Sequence, residues 1–134
     1  MKVEHIGIAV QSLEEADRLF SILFKKTPYK HESVESEAVK TSFYQMGETK
    51  VELLEATADT SAIARYVENK GTGMHHIAFE VEDIREEMER LKKEGIRLLN
   101  DEPKRGADQK MICFLHPKDC GGVLVELCQT IQEA

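Results

Sequence analysis

The stretch HIGIAVQSLEEADRLF (residues 5–20) returns, altered but legible, as HIAFEVEDIREEMERL (residues 76–91), a shift of 71 residues from His5 to His76. Ile6 meets Ile77, Val10 meets Val81 and Glu15 meets Glu86, while Ile8 faces Phe79 and Leu13 faces Ile84. Each copy opens with apolar residues at every second position, the period of a strand, and then changes to the 3.6-residue period of a helix. Ser12 and Asp83 stand where a helix N-cap belongs, and Gly95 marks a stop for the second helix.

The register carries further. Phe43 in TSFYQMGETKVELLE lands on Phe114 in MICFLHPKDCGGVLVELCQ at the same shift. The second hairpin turn is then three residues longer, so Glu52 meets Glu126. Each half reads as strand, helix, then strands that end in a hairpin with glycine at its turn. One half alone has too small a core to be comfortable, so two paired modules are expected in a single domain, residues 1–134. Module one covers about 1–57 and module two about 73–130, and TSAIARYVENKG, Thr60 to Gly71, reads as a linking helix capped by Thr60 or Ser61. The fold class expected is α+β.

Alternation sorts the side chains onto two faces. Ile6, Ile8 and Val10, like Ile77, Phe79 and Val81, form a bulky face suited to packing helices. The other face carries His5, Gly7 and Ala9 in one copy and His76, Ala78 and Glu80 in the other. Val51 and Leu53 flank Glu52, and Val125 and Leu127 flank Glu126, so both carboxylates turn away from the aliphatic face. A single strand histidine is usually a hydrogen-bonded core residue, and a single strand glutamate usually meets water. Recurrence at matched places favours a different reading: His5, Glu52, His76 and Glu126 as ligands of one divalent metal with open coordination sites. Two imidazoles and two carboxylates leave the metal charge balanced. His75 has no counterpart in the first copy and is read as structural; His116 is read as a turn residue, and His31 is assigned no role.

Composition limits the partners. A net charge of −7 with basic and acidic residues interleaved argues against nucleic acid. No apolar run reaches membrane-spanning length, and the strand pattern begins by Val3, too early for a signal peptide, so a cytoplasmic protein is expected. Cys113, Cys120 and Cys128 form no C-x-x-C pair and read as reduced thiols, partly in the core.

The motifs HIGIAV (residues 5–10), TKVELLE (49–55), GMHHIAFEV (73–81) and FLHPKDCGGVLVEL (114–127) resemble the vicinal oxygen chelate superfamily of paired βαβββ modules, and within it the methylmalonyl-CoA epimerase family. The resemblance implies a curved mixed sheet around a metal-binding cup. It implies interconversion of the 2R and 2S epimers of methylmalonyl-CoA by metal-assisted removal and return of the C2 proton through an enediolate. It also implies metal ligation by His5, Glu52, His76 and Glu126, with Glu126 as an acid/base group, a divalent Co, Mn, Ni or Zn ion, an acyl-CoA substrate and a homodimer. Some epimerases have Gln at the place of Glu52. A second family carboxylate aligns with Thr41, which leaves Glu52, a water, Glu35 or Glu37 as the second acid/base group. Lys104, Arg105, Lys110 and Lys118 are the cations available for CoA phosphates, and Thr27 to Ala38 reads as a long loop, either lid or plain surface. The alternative is a glyoxalase I-type lyase acting on a glutathione hemithioacetal, which shares the ligand pattern. A metal-dependent dioxygenase ranks third, and a non-enzymatic binding protein would commonly have lost the ligand set.

Overall fold

In a computed structural model of the chain, residues 1–132 are described. The chain divides into two compact units: His5–His75, and the residues from His76 onward together with Met1–Glu4. Strands and helices mix in both, which fixes the class as α+β.

The His5–His75 unit holds β1 (Lys2–Ala9, most of it), α1 (Leu13–Phe24), β2 (Lys30–Val34), β3 (Val39–Met46), β4 (Thr49–Ala56) and α2 (Ala62–Lys70). Its strands run in the order β2-β3-β4-β1, with β1 parallel to β4 and the other neighbours antiparallel. The second unit holds β5 (Gly73–Glu80, from His76), α3 (Ile84–Lys93), β6 (Lys104–Arg105), β7 (Lys110–Phe114) and β8 (Val125–Thr130). Its order is β5-β8-β7-β6, again with one parallel pair, β5 with β8, and antiparallel neighbours beyond. The expected βαβββ pattern therefore appears twice.

The helices start where the side chains allow. Ser12 Oγ accepts from Glu15 N at 3.2 Å and the Asp83 carboxylate from Glu86 N at 3.1 Å, each satisfying one of the amides that a first turn leaves unbonded. Ser61, one of the two expected caps, accepts from Ile63 N at 3.1 Å. Gly95 follows α3 with φ of 87°, a left-handed conformation that costs glycine nothing. Val10, Leu13, Ala16, Tyr44 and Leu53 pack beneath α1, and Val81, Ile84, Met88, Cys113, Leu115 and Leu127 pack beneath α3. Each fully buried large side chain contributes about 1.5–3 kcal/mol. A further cluster of Ala9, Val39, Leu54 and Ile63 seats α2.

The reading of Thr27 to Ala38 as one long loop is corrected. It contains β2, paired with β3 from Lys30↔Phe43 to Val34↔Val39, and a 3₁₀ turn at Glu35–Glu37. The segment 101–110 holds the short strand β6, Lys104–Arg105.

Candidate functional site

Each unit builds one buried histidine–glutamate pair, and builds it the same way. In the first, β1 and β4 run parallel with Gly7 opposite Glu52, which leaves His5 two residues back on the same face. His5 Nε2 lies 3.3 Å from Glu52 Oε2, and both residues are buried. In the second, Ala78 of β5 stands opposite Glu126 of β8, and His76 Nε2 lies 3.6 Å from Glu126 Oε1, again with both residues buried. The small residue beside each glutamate, Gly7 or Ala78, keeps that face open next to the carboxylate.

Burying a carboxylate costs several kcal/mol unless a counter-charge or several donors meet it. An optimal charge-assisted N–H···O bond spans about 2.7–2.9 Å, shorter than either separation here. An ion with ligand bonds of about 2.0–2.2 Å sets neighbouring ligand atoms about 3.0 Å apart at octahedral angles and about 3.4 Å apart at tetrahedral ones. The 3.3 Å separation falls within that spacing and the 3.6 Å separation just beyond it, and both are longer than an optimal direct hydrogen bond. His5, Glu52 and His76 are buried groups of the kind that lend a ligand atom to a metal. Mixed imidazole and carboxylate donors suit Mn, Co, Ni or Zn rather than calcium.

The remaining histidines have other work. His75 meets the Tyr66 ring edge-on at 5.1 Å, and burial lowers its imidazole pKa below the ordinary value. His116 caps the 3₁₀ turn Pro117–Asp119, its Nδ1 accepting from Lys118 N at 3.2 Å. His31 Nε2 lies 2.9 Å from Asp17 Oδ2.

Lys110 is removed from the possible phosphate contacts. It is buried, its ammonium donates to Thr130 Oγ1 at 2.7 Å, and it lies 3.7 Å from Glu80 and 3.9 Å from Glu4. Burial works against the Glu80 carboxylate, but the Thr130 hydroxyl, Lys110 and Lys2 outweigh it and lower its pKa. Lys104, Arg105 and Lys118 are exposed. Thr41 is fully buried on β3 and donates to the Glu32 carbonyl at 3.2 Å, while Glu35 is exposed in the 3₁₀ turn.

Two residues first noticed only as markers of register belong beside the pairs. Phe43 is the register partner of Glu52, and Phe114 is the register partner of Glu126. Their coincidence at the repeat shift was the available signal.

Residues 4–114 match the glyoxalase/bleomycin resistance protein/dioxygenase superfamily, and the chain belongs to it. Within that superfamily it is similar to proteins named methylmalonyl-CoA epimerase. The mitochondrial epimerase of Homo sapiens is 42% identical, over 96% of this chain and 73% of its own length. An ethylmalonyl-CoA/methylmalonyl-CoA epimerase of Cereibacter sphaeroides is 40% identical, over 96% of this chain and 97% of its own. Among solved structures, a Streptomyces coelicolor methylmalonyl-CoA epimerase variant in complex with 2-nitronate-propionyl-CoA superposes with a TM-score of 0.92. It shares 32% identity, and the match covers 98% of this chain and 99% of that one.

Proposed function

We propose that this protein interconverts the 2R and 2S epimers of methylmalonyl-CoA, and that His5, Glu52, His76 and Glu126 together hold the divalent metal ion the reaction needs. The observation that carries the reading is the doubled buried pair, His5–Glu52 and His76–Glu126, in a chain similar over its whole length to epimerases. When bound, the metal supplies Lewis-acid stabilisation of the negative charge that develops on the thioester oxygen as C2 loses its proton.

The chain supplies the rest. The four side chains fix the plane of the bound acyl group, so that protons leave and arrive on defined faces. Glu126 moves one of those protons: its carboxylate is held by β8 between Ala78 and Phe114, in a buried place where a base needs no reorganisation. Thr41, at the family's second carboxylate position, cannot serve as a base at neutral pH, so the second group is Glu52, Glu35, Glu37 or a water.

The similarity to named epimerases favours this reading over a glyoxalase I-type lyase, which would use the same four ligands. A homodimer, implied by the family resemblance, belongs to the same proposal and is checked by equilibrium sedimentation. So does a cytoplasmic location: Cys113, Cys120 and Cys128 are free thiols, which suits a reducing compartment. Among the described residues no helix is long and apolar enough to cross a membrane.

Proton NMR of methylmalonyl-CoA in D₂O tests the function. With metal-loaded protein the C2 methyl doublet collapses to a singlet as C2–H becomes C2–D, and with a chelator it does not. A doublet that decays only at the chelated rate, with metal bound, rejects the reading and makes methylglyoxal with glutathione the next substrate.

A further inference from the structure

Single exposed apolar side chains are ordinary on a folded protein, whereas several on one face mark a contact. On α1, Leu19, Ile22 and Leu23 are 54%, 74% and 61% exposed. They stand three and four residues apart, so they adjoin on one face of the helix. The core does not claim them. α1 packs inward through Leu13 and Ala16, with Phe20 and Phe24 half-buried beside them.

The repeat shows that the fold does not require this face to be apolar. At the shift of 71 residues the matched places on α3 and its C-cap are Arg90, Lys93 and Glu94, all exposed and all charged. Charge is also ordered along α1. Glu14 and Glu15 occupy the first turn, Lys25 and Lys26 follow the last, and all four are exposed. Glu14 lies 3.6 Å from Arg18, and the Lys26 ammonium donates to the Gln45 carbonyl at 2.5 Å, which fixes that charge at this end. Glu15 stands four residues before Leu19 and seven before Ile22, in line with both.

We infer that α1 is the contact surface for a second copy of this chain, the two helices lying antiparallel across a two-fold axis. The inference rests on the homodimer proposed above and gives it a surface. In that arrangement places 15 and 26 of opposite copies face each other, and so do places 19 and 22. Leu19, Ile22 and Leu23 of both copies bury one another at the centre, and Glu15 of each meets Lys26 of the other at the rim. A parallel pairing would set acid against acid and lysine against lysine. The antiparallel direction also opposes the two helix dipoles favourably.

Sedimentation equilibrium of the full chain tests it. The variants are the triple change Leu19→Arg, Ile22→Lys and Leu23→Glu, the single change Glu15→Lys, and Glu15→Lys combined with Lys26→Glu. The triple change installs the residues of α3, all good helix formers, so α1 still forms. It is expected to raise the dimer Kd more than about 100-fold with far-UV circular dichroism unchanged. Glu15→Lys, which sets like charges opposite, is expected to raise Kd about tenfold, and the double change to recover most of that loss. A dimeric wild type whose Kd is unmoved by the triple change or by Glu15→Lys overturns the inference and leaves the dimer standing. A double change no better than Glu15→Lys alone overturns it as well. Should the triple change unfold the chain, Glu15→Lys and its recovery decide. A monomeric wild type defeats the homodimer and this surface together, while C2 proton exchange judges the epimerase reading separately.

Discussion

Beneath α1 and beneath α3 the same three places of the repeat are filled by opposite chemistry. Under α3 stand Met88, Cys113 and Leu115, all buried in one apolar cluster. Under α1 the equivalents are Asp17, Ser42 and Tyr44. The Asp17 carboxylate accepts from Ser42 Oγ at 2.7 Å and Tyr44 OH at 2.8 Å, and His31 joins from β2. Burial, together with Asp17, pushes the Tyr44 phenol up to about 12, so it remains a donor at any ordinary pH. One fold position thus tolerates a thioether or a carboxylate, provided the neighbours change with it. What both units keep is the row from histidine through glutamate to phenylalanine. Packing has diverged between the halves, and the polar row has not.

That contrast can be broken or sharpened by mutation. The largest effect is expected within the row itself. Glu126→Gln should lower the rate of C2 proton exchange by about 10²–10⁴, the usual worth of a positioned acid/base group, with the NMR assay as the measure. Glu52→Gln should cost less than tenfold, because an amide oxygen can replace a carboxylate oxygen as ligand. Equal losses would mean that the two glutamates do the same chemistry.

In the cores, Asp17→Ala should lower unfolding stability by about 2–3 kcal/mol, since it leaves the Ser42 hydroxyl inside without its acceptor and Tyr44 with only the Ser21 hydroxyl and the backbone carbonyl of residue 17. The triple change Asp17→Met, Ser42→Cys and Tyr44→Leu, which installs the other unit's residues, should cost less than Asp17→Ala alone. Urea midpoints compare them, and a costlier triple change would show that the polar cluster is not interchangeable with the apolar one.

A smaller, stabilising effect is expected at the turn before β7. Asp108 and Gln109 both adopt positive φ, 57° and 55°, where a Cβ is unfavourable. Gln109→Gly should raise stability by about 0.5–1 kcal/mol, after the entropy glycine loses on folding is subtracted.

The smallest is a pH effect at Asp119. Its carboxyl is held well below the usual range by the Arg97 guanidinium, which donates from Nε at 2.8 Å and from Nη2 at 3.1 Å. A depressed carboxylate pKa stabilises the fold above the unfolded value of about 3.9 and loses that contribution as pH falls through the folded value. Arg97→Ala should therefore be less stable than wild type at pH 7, with the gap closing under acid. A gap independent of pH would mean that Arg97 acts through packing.

The sequence revealed those features that repeat. Ser12 and Asp83 capped the helices as read, and the His and Glu of each pair lay on the face that alternation assigned. Two readings failed for physical reasons. β2, KHESV, has no apolar alternation because an edge strand carries charge on its sides, so it looked like loop. Lys110 looked like a surface lysine because its partners Glu4, Glu80 and Thr130 are remote in sequence and leave no local mark.

The central claim is that two pairs serve one metal ion, and metal stoichiometry tests it most directly. Elemental analysis after loading with Co²⁺, Mn²⁺, Ni²⁺ or Zn²⁺ and exhaustive dialysis should give one ion per chain. His5→Ala and His76→Ala, one substitution in each pair, should each remove that same ion. Two ions per chain, or full retention in either variant, would contradict the account.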